Sequence, residues 1–275
     1  MTDPRFQRLG LLAGPDTMKV LARCKVIIFG IGGVGSWCAE GLVRSGLGAL
    51  DIVDSDAVCI TNINRQIQAT ETTVGLLKTD ALRERLLTIN SGCAVRALGK
   101  VFSRKNAGDF DIPGADYVID AIDSLTHKLD LIETACKAGV PVFSSMGMAQ
   151  KLDPARLRTA DIWETSGCPL ARLVRQGLRK RGFTGHFTVV YSNERTLPRR
   201  EAGAVCGAGR CLCPARNADD PAAPVEWCSS KKVINGSAVT VTAAAGMVLA
   251  SLVLRDLYRR YGGDNGTAPR PETAG

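Results

Sequence analysis

The chain has 275 residues, of which 45% are hydrophobic and 23% charged, with a net charge of +8 and ten cysteines. Length and apolar content allow one large α/β domain or two small ones, and they exclude a largely disordered chain. The basic balance suits nucleic acid or another polyanion as a partner, although many basic proteins bind neither.

Residues 1–20 are polar and carry Arg5, Arg8 and Lys19. They do not read as a secretory leader, so a reducing cytoplasm is expected and disulfides are not. Leu9, Leu11, Leu12, Met18, Val20 and Leu21 suggest an arm and a short helix beside a sheet. The apolar, β-branched run 26–29 predicts a buried strand. Gly30, Gly32, Gly33 and Gly35 follow at once; residues 36–45 then predict a helix, and residues 49–53 a second strand ending at Asp54. Glycines let the backbone turn tightly and approach a phosphate, and the helix behind them offers free N–H groups and a positive dipole end. Gly30-x-Gly32-x-x-Gly35 fits the dinucleotide fingerprint, with Asp54 where a ribose hydroxyl would be bound. On this stretch alone, an NAD-dependent dehydrogenase is the plain reading.

The polar residues that follow have no place in such an enzyme. Asn62 and Gln66 offer amides, and Arg65 a planar donor fork for phosphate. Lys78 opens a helix predicted to end near Ile89, where a cation opposes the dipole unless an anion is close. The alternative for Lys78 is an ordinary exposed lysine. Residues 93–101 and 115–121 predict a third and a fourth strand, with Asp120 and Asp123 at the carboxyl edge of the fourth, where parallel sheets bind ligands. Asp123 suits a magnesium ion beside a triphosphate, and equally the N-cap of a helix over 124–137. Residues 140–144 predict a fifth strand. Together these elements predict a doubly wound α/β sheet of mainly parallel, Rossmann-like type, with the glycine turn at its carboxyl edge.

Beyond residue 145 the pattern loosens into a crossing to a second region. Residues 158–163 and 187–191 predict further strands. A helix over 169–180 carries Arg172, Arg175 and Arg179 on one face, with Lys180 and Arg181 at its end. Such a stripe either follows a phosphate backbone or faces solvent, and its spacing does not choose. Cys206, Cys211, Cys213 and Cys228 sit in or just beyond a Pro- and Gly-rich stretch that reads as a long mobile loop. Their spacing is not that of a zinc ribbon, so zinc is not expected there. Cys24, Cys38, Cys59, Cys93 and Cys136 fall among predicted core elements and read as small buried hydrophobes. The apolar run 234–254 is long enough to cross a bilayer, but Asn235, Ser237, Thr240, Thr242 and Ser251 within it favour a core helix ending near Tyr261 over a membrane span. Residues 262–275 read as a disordered tail.

In order and spacing, the glycine turn, Asp54, Asn62, Arg65, Gln66, Lys78 and the Asp120/Asp123 pair resemble the ATP-binding core of the ubiquitin-activating-enzyme-like (ThiF/MoeB-type) adenylating superfamily, over about residues 5–150. Within it, RFQR (5–8), FGIGGVGSW (29–37), TNINRQI (61–67), VIDAIDS (118–124) and KLDP (151–154) resemble the tRNA threonylcarbamoyladenosine dehydratase family. TSGCPLARLVRQGLRKRG (165–182) and VVYS (189–192) extend that likeness to about residue 195. The resemblance implies an adenylation core over 1–150 and a C-terminal region over 151–261 packed on it, with the Cys-rich loop at 198–228 as a departure from the family. It also implies an ATP-dependent cyclisation of N6-threonylcarbamoyladenosine in tRNA, through an acyl-adenylate of the threonine carboxylate. Gly30, Gly32, Gly33 and Gly35 would then form the phosphate turn and Asp54 would hold the ribose. Asn62, Arg65, Gln66 and Lys78 would bind the nucleotide, Asp123 would hold Mg2+, and Arg8 would reach the neighbour's ATP in a homodimer. A monovalent cation and a sulfur-relay protein are further partners that the family allows.

Two other readings share parts of this motif set. An activator of a ubiquitin-like sulfur carrier uses the same ATP core, but such proteins usually carry two C-x-x-C pairs, which this chain lacks. A nucleotide-sensing scaffold would not need Arg8, Arg65, Lys78 and Asp123 together.

Overall fold

The computed structural model describes residues 3–198 and 235–262. The four loop cysteines and residues 263–275 lie outside them. Seven strands form one sheet: β1 (Lys25–Phe29), β2 (Ala49–Val53), β3 (Ala94–Leu98), β4 (Tyr117–Asp120), β5 (Val142–Ser145), β6 (Leu157–Asp161) and β7 (Thr188–Ser192), in the order β3-β2-β1-β4-β5-β7-β6. All pairs are parallel except the edge pair β6–β7. The sheet is doubly wound and continues across residue 150, because β7 pairs with β5.

Helices cover both faces, so the central strands are buried on both sides and mostly apolar; the exception within β2 is Asp51, which pairs with Arg96 on β3. Along β1 the side chains alternate. Val26 and Ile28 join the core formed with α1 (Gln7–Leu21), α2 (Gly35–Arg44), α3 (Lys78–Ile89) and α6 (Val239–Tyr261). Ile27 and Phe29 join the core formed with α4 (Leu125–Lys137) and α5 (Pro169–Lys180). On that second face Phe29 packs edge-on against Phe102 and Phe110, with centroids 5.1 and 5.3 Å away.

The third strand is shorter than the apolar run 93–101 suggests. The chain turns back as Lys100 donates its N–H to the Leu98 carbonyl. Helix α1 is broken at Gly14 (φ +80°), just before Pro15. Its second half is buried at Thr17, Met18 and Leu21, while Leu11 and Leu12 on the first half are 82% and 79% exposed. Helix α6 has the length and apolarity to cross a membrane, but it lies in the core, with Val241, Ala245, Leu249 and Val253 fully buried. A Cβ at Gly246 would stand 2.4 Å from the Val34 carbonyl oxygen, so glycine is what lets α6 pack on the start of α2. The six described cysteines are free thiols; five are buried and Cys136 is half-buried.

Candidate nucleotide site

The carboxyl ends of β1, β2 and β4 bring one polar cluster together. After β1 the chain turns at Gly30 (φ +83°), where a Cβ would lie 2.7 Å from the Ala121 carbonyl, so no other residue fits. At Gly35 a Cβ would lie 1.9 Å from the Gly30 carbonyl, which closes the turn onto the first residue of α2. Gly32 meets nothing closer than Gln66 Nε2 at 3.9 Å, which leaves its backbone approachable. No side chain caps α2 at its N-cap, Val34, and although the Ser36 N–H donates to the Gly32 carbonyl at 3.2 Å, the positive end of the helix suits an anion.

Asp54 closes β2 and ties the glycine turn to it. Its Oδ2 accepts from the Ile31 N–H at 3.0 Å and its Oδ1 from the Asp56 N–H at 2.9 Å. A carboxylate has about four acceptor positions, so both bonds leave room for a ribose hydroxyl. Lys78 is the first residue of α3 and is buried; the exposed-lysine reading is therefore incorrect. The anions expected near it are Asp56, 2.6 Å from Nζ, and Asp54, at 3.6 Å. Burial pushes the ammonium down, but Asp54, Asp56 and Asp123 outweigh it and hold its pKa above the ordinary lysine value. Lys78 therefore stays charged at neutral pH.

Asn62 is buried in a short turn, its Oδ1 accepting from the Cys59 N–H at 3.0 Å. Gln66 is buried too, and its Oε1 accepts from Gln68 Nε2, which also donates to the Ile31 carbonyl. Arg65 packs its stem beside Gly33, and its carbonyl accepts from Trp37 Nε1 on α2 at 3.0 Å. Burial lowers its pKa, while Cys59 and Asp123 pull the other way. Asp123 is exposed, and its charge is felt by both Arg65 and Lys78. It is not the N-cap of α4; Ser124 holds that position. Asp120 is withdrawn from the site altogether. It is fully buried, with Lys128 Nζ and Ser144 Oγ both 2.6 Å from its Oδ2.

The structure does not bring every candidate to this cluster. Arg8 is exposed on the outer half of α1. Just before it, Phe6 rests on Gly46 and Arg5 reaches the Ile89 carbonyl, both at the opposite edge of the sheet. The arginines of α5 also stand apart, and they differ from one another. Arg172 is exposed, Arg175 donates to Thr165 Oγ1, and the Arg179 guanidinium lies over the Trp163 ring at 5.4 Å. Among the described residues none of the three pairs with a carboxylate, unlike Arg181, which binds Asp130 and Glu133. Trp37, Asn64 and Gln68 belong to the site scaffold and escaped the sequence reading. Trp37 and Asn64 lie inside the quoted motifs, but nothing in residue type marks their partners.

Among the described residues no group of three or more metal-binding side chains occurs. A single carboxylate at this edge, such as Asp123, is compatible with magnesium, which takes one or two carboxylates and completes its shell with phosphate oxygens and water.

The chain matches the ThiF family over residues 6–271. It is 34% identical over 265 residues to the tRNA threonylcarbamoyladenosine dehydratase of Haemophilus influenzae, covering 94% of this chain and 95% of that protein. It is 41% identical over 197 residues to the protein of the same name from Bacillus subtilis, covering 72% and 78%. Among solved structures it is similar to the E. coli tRNA N6-threonylcarbamoyladenosine dehydratase in complex with ATP, with a TM-score of 0.77, 30% identity and coverage of 95% and 96%.

Proposed function

This chain belongs to the ThiF family and, within it, to the tRNA threonylcarbamoyladenosine dehydratases, and we propose that its glycine turn and polar cluster carry out the family's reaction. It is an ATP-dependent enzyme that cyclises N6-threonylcarbamoyladenosine in tRNA. The threonine carboxylate attacks the α-phosphorus of ATP and pyrophosphate leaves, which forms an acyl-adenylate. A nitrogen of the adjacent urea then attacks the activated carbonyl, AMP leaves with the bonding electrons, and a proton is lost as the hydantoin ring closes. The net change in the nucleoside is loss of water. Cyclisation is intramolecular, so no protein nucleophile is needed.

The observation that carries this reading is the convergence of Arg65, Lys78 and Asp123 beside an uncapped helix start. Phosphoryl chemistry is governed by positioning and charge neutralisation, and these groups supply both. In our reading Gly30, Gly32, Gly33 and Gly35 shape the phosphate turn, and Asp54 accepts from the ribose. Asn62 and Gln66 brace the segment that presents Arg65 and Lys78 to the triphosphate. Asp123 would hold magnesium, which screens the phosphate charge. Arg172, Arg175 and Arg179 would meet tRNA phosphates, a role supported by their lack of carboxylate partners among the described residues. Arg8 would act in a second subunit of a cytoplasmic homodimer. The sulfur-carrier activator is not favoured, since the dehydratase relatives match over most of both chains.

The test is incubation with ATP, magnesium and tRNA bearing the linear nucleoside, followed by nucleoside mass spectrometry. The cyclic nucleoside should form together with AMP. Its absence, with ATP intact, would refute the assignment.

A further inference from the structure

Asn64 is exposed, yet both ends of its carboxamide are engaged. Its Nδ2 donates to the Ser237 carbonyl at 2.9 Å, a contact spanning 173 positions of chain. Its Oδ1 accepts from Arg65 Nη1 at 3.0 Å, and the same Nη1 donates to the Thr61 carbonyl at 2.9 Å. Arginine has five N–H donors in a rigid fork. Two of them hold the fork in place here, and among the described residues Nε and Nη2 make no hydrogen bond.

Residues 235–238, which carry the Ser237 carbonyl and lead into α6, are fastened on their other side by Gln150. The Gln150 N–H donates to the Gly236 carbonyl at 2.9 Å, and the Gln150 carbonyl accepts from the Leu197 N–H at 2.9 Å. Gln150 has a φ of +59°, a left-handed conformation that a non-glycine residue holds only where its surroundings impose it. Trp37 secures the main-chain carbonyl of Arg65 but not its guanidinium.

We propose that Asn64 is a positioning residue for Arg65. It ties the guanidinium that grips the triphosphate to the start of α6, so the seating of residues 235–238 on Gln150 sets the geometry of that grip. This rests on the ATP-binding role given to Arg65 above. A fork held by two acceptors is pre-organised and loses little freedom when phosphate arrives; with Thr61 alone it can swing.

The experiment is calorimetric titration of the full chain with ATP and magnesium, combined with thermal melting, for a double-mutant cycle. Asn64→Ala should weaken ATP binding roughly tenfold, the scale of one hydrogen bond to a charged group, at an unchanged melting temperature. In an Arg65→Lys background, which keeps the charge and lacks the fork, Asn64→Ala should cost less than about twofold, because the group it positions is gone. Ser237→Ala should bind ATP like the wild type, since the bond is to main chain. Equal losses in both backgrounds, or no loss from Asn64→Ala in the wild type, would overturn the proposal while leaving the ATP site intact. A wild-type chain that binds no ATP would overturn the functional reading and this inference together.

Discussion

Asp54 serves two purposes with one carboxylate. It anchors the glycine turn through Ile31 and Asp56, and in the proposed function it would also accept from the ribose. It also helps keep the buried Lys78 charged. We expect Asp54→Ala to weaken ATP binding by about 1–3 kcal/mol, the range for hydrogen bonds to a charged group. Asp54→Asn keeps one carbonyl oxygen and should lose less. ATP affinity equal to wild type in Asp54→Ala, measured by calorimetry, would remove Asp54 from the nucleotide site. Lys78 was recognisable in the sequence as a cation at an unfavourable place, a helix start. Which anions relieve it was not recognisable, because Asp54 and Asp56 reach it only when the end of β2 folds against the start of α3.

Helices α2 and α3 are joined by Glu40, which is buried and accepts from Arg85 Nε at 2.6 Å and from Arg44 Nε at 2.8 Å. Burial pushes the Glu40 carboxyl up, but the two arginines outweigh it and hold the pKa below its ordinary 4.5. A carboxyl depressed in the folded state stabilises above its unfolded pKa, and that contribution is lost as pH falls through the folded one. Glu40→Gln should therefore lower stability at pH 7 by on the order of 1–2 kcal/mol. The gap from wild type should narrow in acid, below the ordinary carboxylate value. Urea titrations at pH 7 and pH 3.5 measure both gaps, and a gap as wide in acid as at neutrality would contradict the assignment. The same pairing orients α2, whose N-terminus faces the glycine turn.

At the scale of the molecule, the outer half of α1 packs Leu9 and Ala13 on the core but leaves two large apolar side chains in the open among the described residues. Leu11 and Leu12 are exposed there, and Arg8 is remote from the site in its own chain. The homodimer proposed above would cover this arm, and burying each leucine would be worth roughly 1.5–3 kcal/mol. The double variant Leu11→Ser, Leu12→Ser should sediment as a lighter species than the wild type and turn over slowly. Arg8→Ala should bind ATP normally and turn over slowly, and mixing it with Asp123→Ala should restore activity at one site of each heterodimer. Wild-type turnover by a verified monomer would exclude the trans arginine.

The sequence by itself determined the elements whose signals are local. The apolar runs of β1, β2 and β4, the four glycines and the helical spacing of α2, α4 and α5 are written in stretches of a few residues, and steric and burial rules act at that range. It also carried the family resemblance that implied an ATP site, because Asp54, Asn62, Arg65, Lys78 and Asp123 follow one another in a recognisable order. Tertiary structure alone decided which carboxylates remain at the site. Asp120 and Asp123 look alike in sequence, yet the Lys128 ammonium and Ser144 hydroxyl draw Asp120 into the core and leave Asp123 at the edge. It likewise decided that α6 returns to pack on α2, so that Tyr117 donates to Asp256 across 139 positions and Asn64 to Ser237 across 173. Such contacts depend on where the chain comes back after a long excursion, and no periodicity within a short window carries that information.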